Sequence, residues 1–140
     1  GECGLQMTGC IEVCNDLDAM VDWYQRMLNL RVIREFGEGD ERVVYLVDPA
    51  YDPDSRRNLF VLQKARTEDQ QQRYAQRGAY ISEIIYQAKD VQRAWDDALW
   101  AGMVAIQAPA VDPLTGLLTA YLKEPCGGNA IQLTEIFAPS

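Results

Sequence analysis

The sequence predicts an α+β domain in which one unit, a strand followed by a helix and then by further strands, occurs twice. In each half, apolar residues recur at a strand-like spacing of two, then at a helix-like spacing of three and four, and then at two again. The two halves also carry similar pieces in the same order: IEVCNDL with IYQAKDV, VYLVDP with AYLKEP, and NLFVLQ with NAIQLT. Since the members of each pair lie 71 to 76 residues apart, we interpret the chain as a duplication with modules at residues 1–66 and 67–140.

The first module is predicted to start with a strand at residues 9–14, which are mostly small or β-branched. Asp16 follows as the expected N-cap of a helix, because the apolar residues after it fall three and four apart as far as Leu28. The remaining strands of this module are predicted at residues 30–34, 42–48 and 58–63, with the loop AYDPDSRR before the last of them.

The second module is predicted to repeat this order after a polar run at residues 67–77, which we interpret as a solvated connector that could include a helical stretch. A strand is predicted at residues 80–88, and Asp90 then lies in the cap region of a helix whose apolar stripe stops at Gly102. Further strands are predicted at residues 104–107, 119–123 and 129–136.

The composition is that of one compact domain with neither a membrane span nor a nucleic-acid partner. The 140 residues carry 13 Lys and Arg against 21 Asp and Glu, and the net charge of −8 disfavours phosphate-rich partners. No stretch approaches the roughly 18 to 20 apolar residues that cross a bilayer, and the opening residues lack the features of a signal peptide. The four cysteines form no C-x-x-C pair, and on a strand Cys10 and Cys14 would be about 13 Å apart, so a reduced, cytoplasmic setting is expected.

Two segments resemble sequence patterns of the vicinal oxygen chelate superfamily, which includes glyoxalase, bleomycin-resistance proteins and extradiol dioxygenases. NDLDAMVDWYQRMLNLRV is similar to its D-L-x-x-x-x-x-F/W-Y-x-x-x-L-G-L, and AYLKEPCGGNAIQLTE to its A-Y-F-x-D-P-x-G-N-x-I-E-L. The resemblance implies the glyoxalase/bleomycin-resistance/dioxygenase fold, in which two βαβββ modules carry curved sheets that enclose a pocket. It also implies a homodimer, because that pocket is often completed by a second chain.

The resemblance further implies where a divalent metal would be held. The ligand positions fall on Gly9 and Glu83 in the first strand of each module, on Gln132 in the last strand, and on Val61 in the corresponding strand of the first module. A divalent ion needs at least three good donors, and the chain contains no histidine. We therefore predict neither a resident metal nor another cofactor, although a weak divalent site that combines Glu83 and Gln132 with water or substrate oxygens stays open.

A mostly apolar pocket with a few polar groups is expected in place of the metal site. Strand alternation places Glu83, Ile85 and Gln87 on one face, which the resemblance makes the concave one. Glu83 is the candidate catalytic residue, since a carboxylate among isoleucines could act as a general base or pair with a cationic ligand. The alternatives are that the strand is an edge there or that Glu83 meets an arginine of a partner chain. The predicted ligand-binding residues are Gly9, Ile11, Val13, Val61, Glu83, Ile85, Gln87, Tyr121 and Gln132.

Glu12 leaves two alternatives open. Alternation places it with Cys10 and Cys14 on the face that meets the helices, where an unpaired carboxylate would be strongly unfavourable. Either it pairs with a basic group such as Arg31 or Arg34, or the strand register differs by one residue and Glu12 faces the cavity.

Several aromatic residues could belong either to the core or to a binding surface. Tyr45 and Tyr121 hold matching positions in the two modules and could reach the mouth of the pocket or pack in the core, and core packing is favoured. Trp95 falls on the apolar stripe of the second helix and is predicted to be core. Trp23 and Trp100 are less clearly inward and could contact an aromatic ligand or a dimer partner.

Three functions fit these residues. The first is metal-independent binding of a small molecule, of the drug-sequestering kind, with a cationic or aromatic ligand. The second is an enzyme of the glyoxalase or epimerase type, a lyase or isomerase that is metal-dependent with unusual ligands or metal-free with Glu83 as base. The third is an interaction module that has lost its ligand.

Overall fold

A computed structural model describes residues 5–49 and 59–136 of the chain. The strands of this part are β1 (Gln6–Val13), β2 (Arg31–Phe36), β3 (Val43–Val47), β4 (Leu59–Gln63), β5 (Tyr80–Ala88), β6 (Val104–Val111), β7 (Leu118–Lys123) and β8 (Ala130–Glu135). The helices are α1 (Leu17–Leu28), α2 (Glu68–Arg77) and α3 (Val91–Trp100). In the described ranges, no helix is both long enough and apolar enough to cross a bilayer. The loop AYDPDSRR that the sequence predicts lies outside the described residues.

The described part of the chain forms two compact units. The first unit comprises residues 9–49 and 59–82, and the second comprises residues 5–8 and 83–136. Within the first unit the strand order is β2-β3-β4-β1, with β1 parallel to β4 and the other pairs antiparallel. Within the second unit the order is β6-β7-β8-β5, with β5 parallel to β8 and the other pairs antiparallel. The same βαβββ connectivity therefore occurs twice, as predicted, whereas a module boundary between residues 66 and 67 stays a prediction.

Helices α1 and α3 begin at the two aspartates expected from the sequence. The carboxylates of Asp16 and Asp90 each accept a hydrogen bond, 3.0 Å long, from the backbone N–H three residues later. This bond satisfies one of the N–H groups that the first helical turn leaves without a partner. Helix α1 ends before Asn29, which adopts the left-handed conformation at φ 57° and so stops the helix.

Helix α2 occupies the polar run that the sequence analysis treated as a connector. Thr67 and Gln70 form a capping box at its start. Gln70 is buried, its Oε1 accepts a hydrogen bond from Gln63 Nε2 at 3.2 Å, and its Nε2 donates one to Ser82 Oγ at 3.2 Å. The first turn of α2 is thereby attached to both β4 and β5.

Each unit packs one face of its sheet against a helix. In the first unit, that face and α1 together form a core of Cys14, Leu17, Val44, Leu46 and Leu62. In the second unit, the sheet and α3 form a core of Ala88, Val91, Ala94, Trp95, Ala120, Leu122, Ile131 and Leu133. Because side chains alternate along a strand, the intervening residues lie on the opposite face, which we call the distal face of each unit.

Candidate functional site

In the first unit, the predicted ligand-binding residues lie on the distal face. Gly9, Ile11 and Val13 alternate along β1 with residues that face α1, and the strand register places Gly9 opposite Leu59 and Ile11 opposite Val61. Ile11, Val13 and Val61 are buried. These three side chains are apolar, so they can supply shape and dispersion contacts to a ligand but no hydrogen bond.

In the second unit, the predicted residues lie on three neighbouring strands. The register places Gln132 of β8 opposite both Ile85 of β5 and Tyr121 of β7. Residues directly opposite one another on adjacent strands have Cβ atoms about 4.5–5.5 Å apart. The structure therefore brings these three predicted residues together on the distal face.

Further polar residues extend this group along the strands. Gln87 lies two positions beyond Ile85 and opposite Thr134, which is in turn opposite Thr119 of β7. Thr119 was not among the predicted residues, although alternation along T-A-Y of β7 places it on the same face as Tyr121. The five residues Gln87, Thr119, Tyr121, Gln132 and Thr134 are called the polar cluster below.

Within the polar cluster, the amide of Gln87 differs from the threonine hydroxyls. The hydroxyls of Thr119 and Thr134 lie 3.2 Å apart, and each is also within hydrogen-bond distance of a backbone carbonyl. Gln87 is only 1% exposed, yet its Nε2 has no hydrogen-bond partner among the described residues. A buried donor without an acceptor costs about 1–3 kcal/mol. An acceptor supplied from outside the chain would therefore be stabilising at this position.

Glu83, the candidate catalytic residue, lies on the same face of β5 as Ile85 and Gln87. Its side chain is half-buried, in a strand that pairs with β8 in the second unit. This placement brings a carboxylate onto the strand that carries the unpartnered amide. Its roles as a general base or as the partner of a cationic ligand stay predictions.

Gly9, to which the resemblance assigns a metal ligand, lies against the main chain of β4. A Cβ atom at Gly9 would be 1.7 Å from the carbonyl oxygen of Leu59, so no side chain fits there. Val61 has no donor atom, which leaves only Glu83 and Gln132 as donors among the four implied positions. Throughout residues 5–49 and 59–136, no three histidine, cysteine, aspartate or glutamate side chains are grouped so as to hold a metal ion. The residues present therefore do not fit the divalent metal that the resemblance implies.

Glu12 faces α1, and its partner resolves the question that the sequence left open. The hydroxyl of Tyr24 donates to the Glu12 carboxylate, at 3.4 Å from one oxygen and 3.3 Å from the other. Among the described residues, the hydrogen-bond partner of Glu12 is therefore Tyr24, whereas the sequence suggested a basic group such as Arg31 or Arg34. The predicted register of β1 is therefore the observed one, with Gly9 and not Glu12 on the distal face.

Burial between β1 and α1 shifts the pKa of both Glu12 and Tyr24. Burial raises the pKa of the Glu12 carboxyl, and the hydrogen bond from Tyr24 partly opposes that rise. Burial, followed by the charge and hydrogen bond of Glu12, raises the pKa of Tyr24 to about 12. Both groups are thus held towards their neutral forms, as expected for a carboxyl and a phenol between a sheet and a helix.

We expect the Glu12→Gln variant to be more stable than the wild type at pH 8 and equally stable near pH 4. A carboxyl whose pKa is raised by folding contributes its full stability below its unfolded-state pKa and loses it as the pH rises through the folded-state pKa. Glutamine resembles the neutral form at every pH, so the gain should be at most about 1 kcal/mol for this partly solvated group. Urea unfolding across this pH range measures the difference.

Glu38→Gln, at an exposed position of the same unit, is the matched control and should follow the wild type at both pH values. Tyr24→Phe removes the hydroxyl that lowers the Glu12 pKa, so its loss of stability should grow as the pH rises. A Glu12→Gln variant whose stability relative to the wild type does not change with pH would contradict the assigned environment of Glu12.

Each of the two βαβββ modules has a helix on one face of its sheet and candidate binding residues on the other. This architecture defines a class of proteins that are built from duplicated modules. The family comparison then identifies the family within that class. The chain belongs to the Glyoxalase/Bleomycin resistance protein/Dioxygenase superfamily, whose family model matches residues 10–133. The resemblance found in the sequence is thereby confirmed. A search of the curated proteins found no match.

Solved structures with this fold are similar over nearly the whole chain. A hypothetical protein from Bacillus halodurans C-125 is 14% identical, with 97% of each chain covered and a TM-score of 0.73. Methylmalonyl-CoA epimerase from Mycobacterium tuberculosis is 18% identical, covering 94% of this chain and 87% of that one, with a TM-score of 0.72. A variant of the Streptomyces coelicolor methylmalonyl-CoA epimerase, in complex with 2-nitronate-propionyl-CoA, is 20% identical, covering 96% and 97%, with a TM-score of 0.73. At such identities the likeness shows the fold alone.

Proposed function

We propose that the chain binds a small organic ligand without a metal, and that the polar cluster of the second unit supplies the hydrogen bonds. The observation that carries the proposal is the buried Nε2 of Gln87, which lacks an acceptor among the described residues. Because an amide NH₂ group can only donate, the ligand should present a carbonyl, carboxylate or other acceptor there. Ile85, beside the polar cluster, adds the apolar surface that small-molecule sites combine with a few polar groups.

The charge of the chain narrows the class of ligand. A net charge of −8, together with the half-buried Glu83, favours a ligand that is cationic overall or carries no charge. Drug sequestration of the kind associated with bleomycin-resistance proteins is therefore our first candidate. We further propose that the protein works as a homodimer in the cytoplasm, where its cysteines would stay reduced.

A metal-free isomerase or lyase is the second candidate, and the placement of Glu83 on the same face as Gln87 favours it. A carboxylate could remove a proton while a neutral amide donor holds the carbonyl oxygen of the substrate. Methylmalonyl-CoA, which the names of the similar epimerases suggest, is the probe for this candidate. Against it, the net charge of −8 disfavours a ligand as rich in phosphate as coenzyme A.

Replacing Gln87 with methionine is expected to stabilise the protein and to weaken ligand binding at the same time. Methionine has nearly the same shape but no amide, so the free energy of unfolding should rise by about 1 kcal/mol or more because the unpartnered Nε2 donor of Gln87 is removed. A thermal-shift screen with cationic and aromatic compounds, and separately with methylmalonyl-CoA, should find a ligand for the wild type. The Kd of that ligand should rise at least about tenfold in Gln87→Met, equivalent to 1.4 kcal/mol.

Gln25→Met, at an exposed position of α1, makes the same chemical change elsewhere and should alter neither stability nor binding. A Gln87→Met variant that is less stable than the wild type would show that the amide has a structural role. A screen in which no compound raises the Tm would contradict the binding proposal. A rise with methylmalonyl-CoA alone would favour the enzyme over the drug-sequestering protein.

A further inference from the structure

Two members of the polar cluster lie close enough together to hold one small group of a ligand. Gln87 of β5 and Thr134 of β8 are directly opposite one another, and both side chains are almost fully buried. Neighbouring strands are about 4.8 Å apart, and alternation places both side chains on the distal face of the second unit. The hydrogen-bonding capacity of these two residues therefore decides which chemical group can be held between them.

The amide of Gln87 can offer a ligand a donor through its Nε2 atom. This atom has no hydrogen-bond partner within residues 5–49 and 59–136. The NH₂ group of an amide has two hydrogens and cannot accept a hydrogen bond. The group that completes the site must therefore present an acceptor to Gln87.

The hydroxyl of Thr134, by contrast, can offer a ligand an acceptor, because its hydrogen is already used within the second unit. Its Oγ1 lies 3.3 Å from the carbonyl oxygen of Leu118 and 3.2 Å from the Oγ1 of Thr119. Thr119 in turn lies 3.1 Å from the carbonyl oxygen of Leu117, so each hydroxyl hydrogen has an acceptor in the chain. A hydroxyl oxygen has two lone pairs, so whichever threonine donates to the other, Thr134 keeps at least one for a donor on the ligand.

We propose that the polar cluster binds its ligand through a primary amide group, whose carbonyl oxygen accepts from Gln87 and whose N–H donates to Thr134. This ligand class rests on the proposed function and deepens it. A primary amide is a small group that carries an acceptor and a donor on different atoms, so it can span two neighbouring strands.

Related groups lack one half of this pattern. An ester or a ketone has no hydrogen to donate to Thr134. A carboxylic acid is ionised near neutral pH, and its carboxylate would place a second acceptor against the Thr134 oxygen. Because Gln87 and Thr134 are shielded from water, a ligand that leaves one of them without a partner gains no compensating hydrogen bond from solvent. The site should therefore discriminate between an amide and its ester.

The test uses matched compounds that differ only in this group. The probes are benzamide, methyl benzoate and benzoate, together with the corresponding amide, methyl ester and carboxylate of cinnamic acid. Ligand-observed NMR on the full chain measures each Kd. The amides are expected to bind at least about tenfold more tightly than their esters, which carry no charge and are therefore the decisive comparison. An ester that binds as tightly as its amide, or the absence of binding by both amides, would overturn the inference.

Substitutions assign the two hydrogen bonds separately. Thr134→Val removes the acceptor and should reduce the preference for amide over ester to less than about twofold, whereas Thr134→Ser should keep it. Gln87→Met should weaken amide and ester alike, because both present a carbonyl oxygen. Thr8→Val removes another buried threonine hydroxyl of the second unit, one that donates to a backbone carbonyl, and as the matched control should retain the full preference. A folded Thr134→Val variant that retains the preference would contradict the assigned role of Thr134.

The wild-type comparison needs no variant, so it decides the question even if Thr134→Val does not fold. It also separates this inference from the proposed function. If compounds of the thermal-shift screen bind but amides are not preferred over esters, the binding function stands and the primary amide is wrong. If neither the screen nor the matched compounds yield a ligand, the binding function is wrong as well.

Discussion

Replacing Trp95 with alanine is expected to lower the free energy of unfolding by about 3–5 kcal/mol. The indole is only 7% exposed and packs in the core of the second unit, where α3 meets β7 and β8. Removing so large a side chain forfeits its burial and leaves a cavity that the surrounding strands can fill only in part. Urea unfolding followed by circular dichroism measures the loss.

Trp100→Ala, five positions later on the same helix, is the matched control because that side chain is 92% exposed. Its effect on stability should stay within about 0.5 kcal/mol. Similar losses in the two variants would contradict the assignment of Trp95 to the core.

Gly9→Ala is expected to lower the free energy of unfolding by about 3 kcal/mol or more, because the added methyl group meets main chain that cannot simply rotate away. The new Cβ would lie 1.7 Å from the Leu59 carbonyl oxygen, far inside contact distance, so β1 and β4 would have to separate. Unfolding in urea measures the difference in free energy of unfolding between Gly9→Ala and the wild type. A Gly9→His variant, which restores the histidine that the family resemblance implies at this position, should be at least as unstable and should bind no zinc by calorimetry.

The control for Gly9 is Gly39→Ala. Gly39 has φ +58° but nothing within 4 Å of an added Cβ, so alanine there meets only backbone strain, worth about 1–2 kcal/mol. Gly9 has the opposite requirement, a close approach without a left-handed backbone. If Gly9→Ala cost no more than Gly39→Ala, the close packing of β1 on β4 would be refuted.

The fold could be predicted from the sequence because its main signals are local. Asp16 and Asp90 mark the starts of α1 and α3. Alternation along β5 places Ile85 and Gln87 on one face, which is the face away from the α3 core. The sequence predicted α2 only as a possible helical stretch within a connector, because its residues are almost all polar. The capping box at Thr67 was the signal that could have identified it.

The site could be predicted only in part, because its decisive features depend on contacts distant in sequence. The sequence presents Gly9 as a lost histidine, whereas the structure shows that the main chain of β4 requires a glycine there. The bond between Glu12 and Tyr24 needs the packing of α1 on β1. Tyr45 is buried against Phe36, with ring centroids 5.5 Å apart, which agrees with the core packing that was favoured for it.

The buried amide of Gln70 should make the start of α2 insensitive to the concentration of salt. Gln70 Oε1 accepts a hydrogen bond from Gln63 Nε2 and another, 2.9 Å long, from the backbone N–H of Arg66. One uncharged side chain therefore accepts hydrogen bonds from several donors at the start of the helix. Ion pairs on a protein surface weaken as ionic strength increases, but bonds between neutral groups do not. The beginning of α2 should therefore keep its hydrogen-exchange protection in concentrated salt, where exposed pairs such as Arg26 with Asp22 are screened.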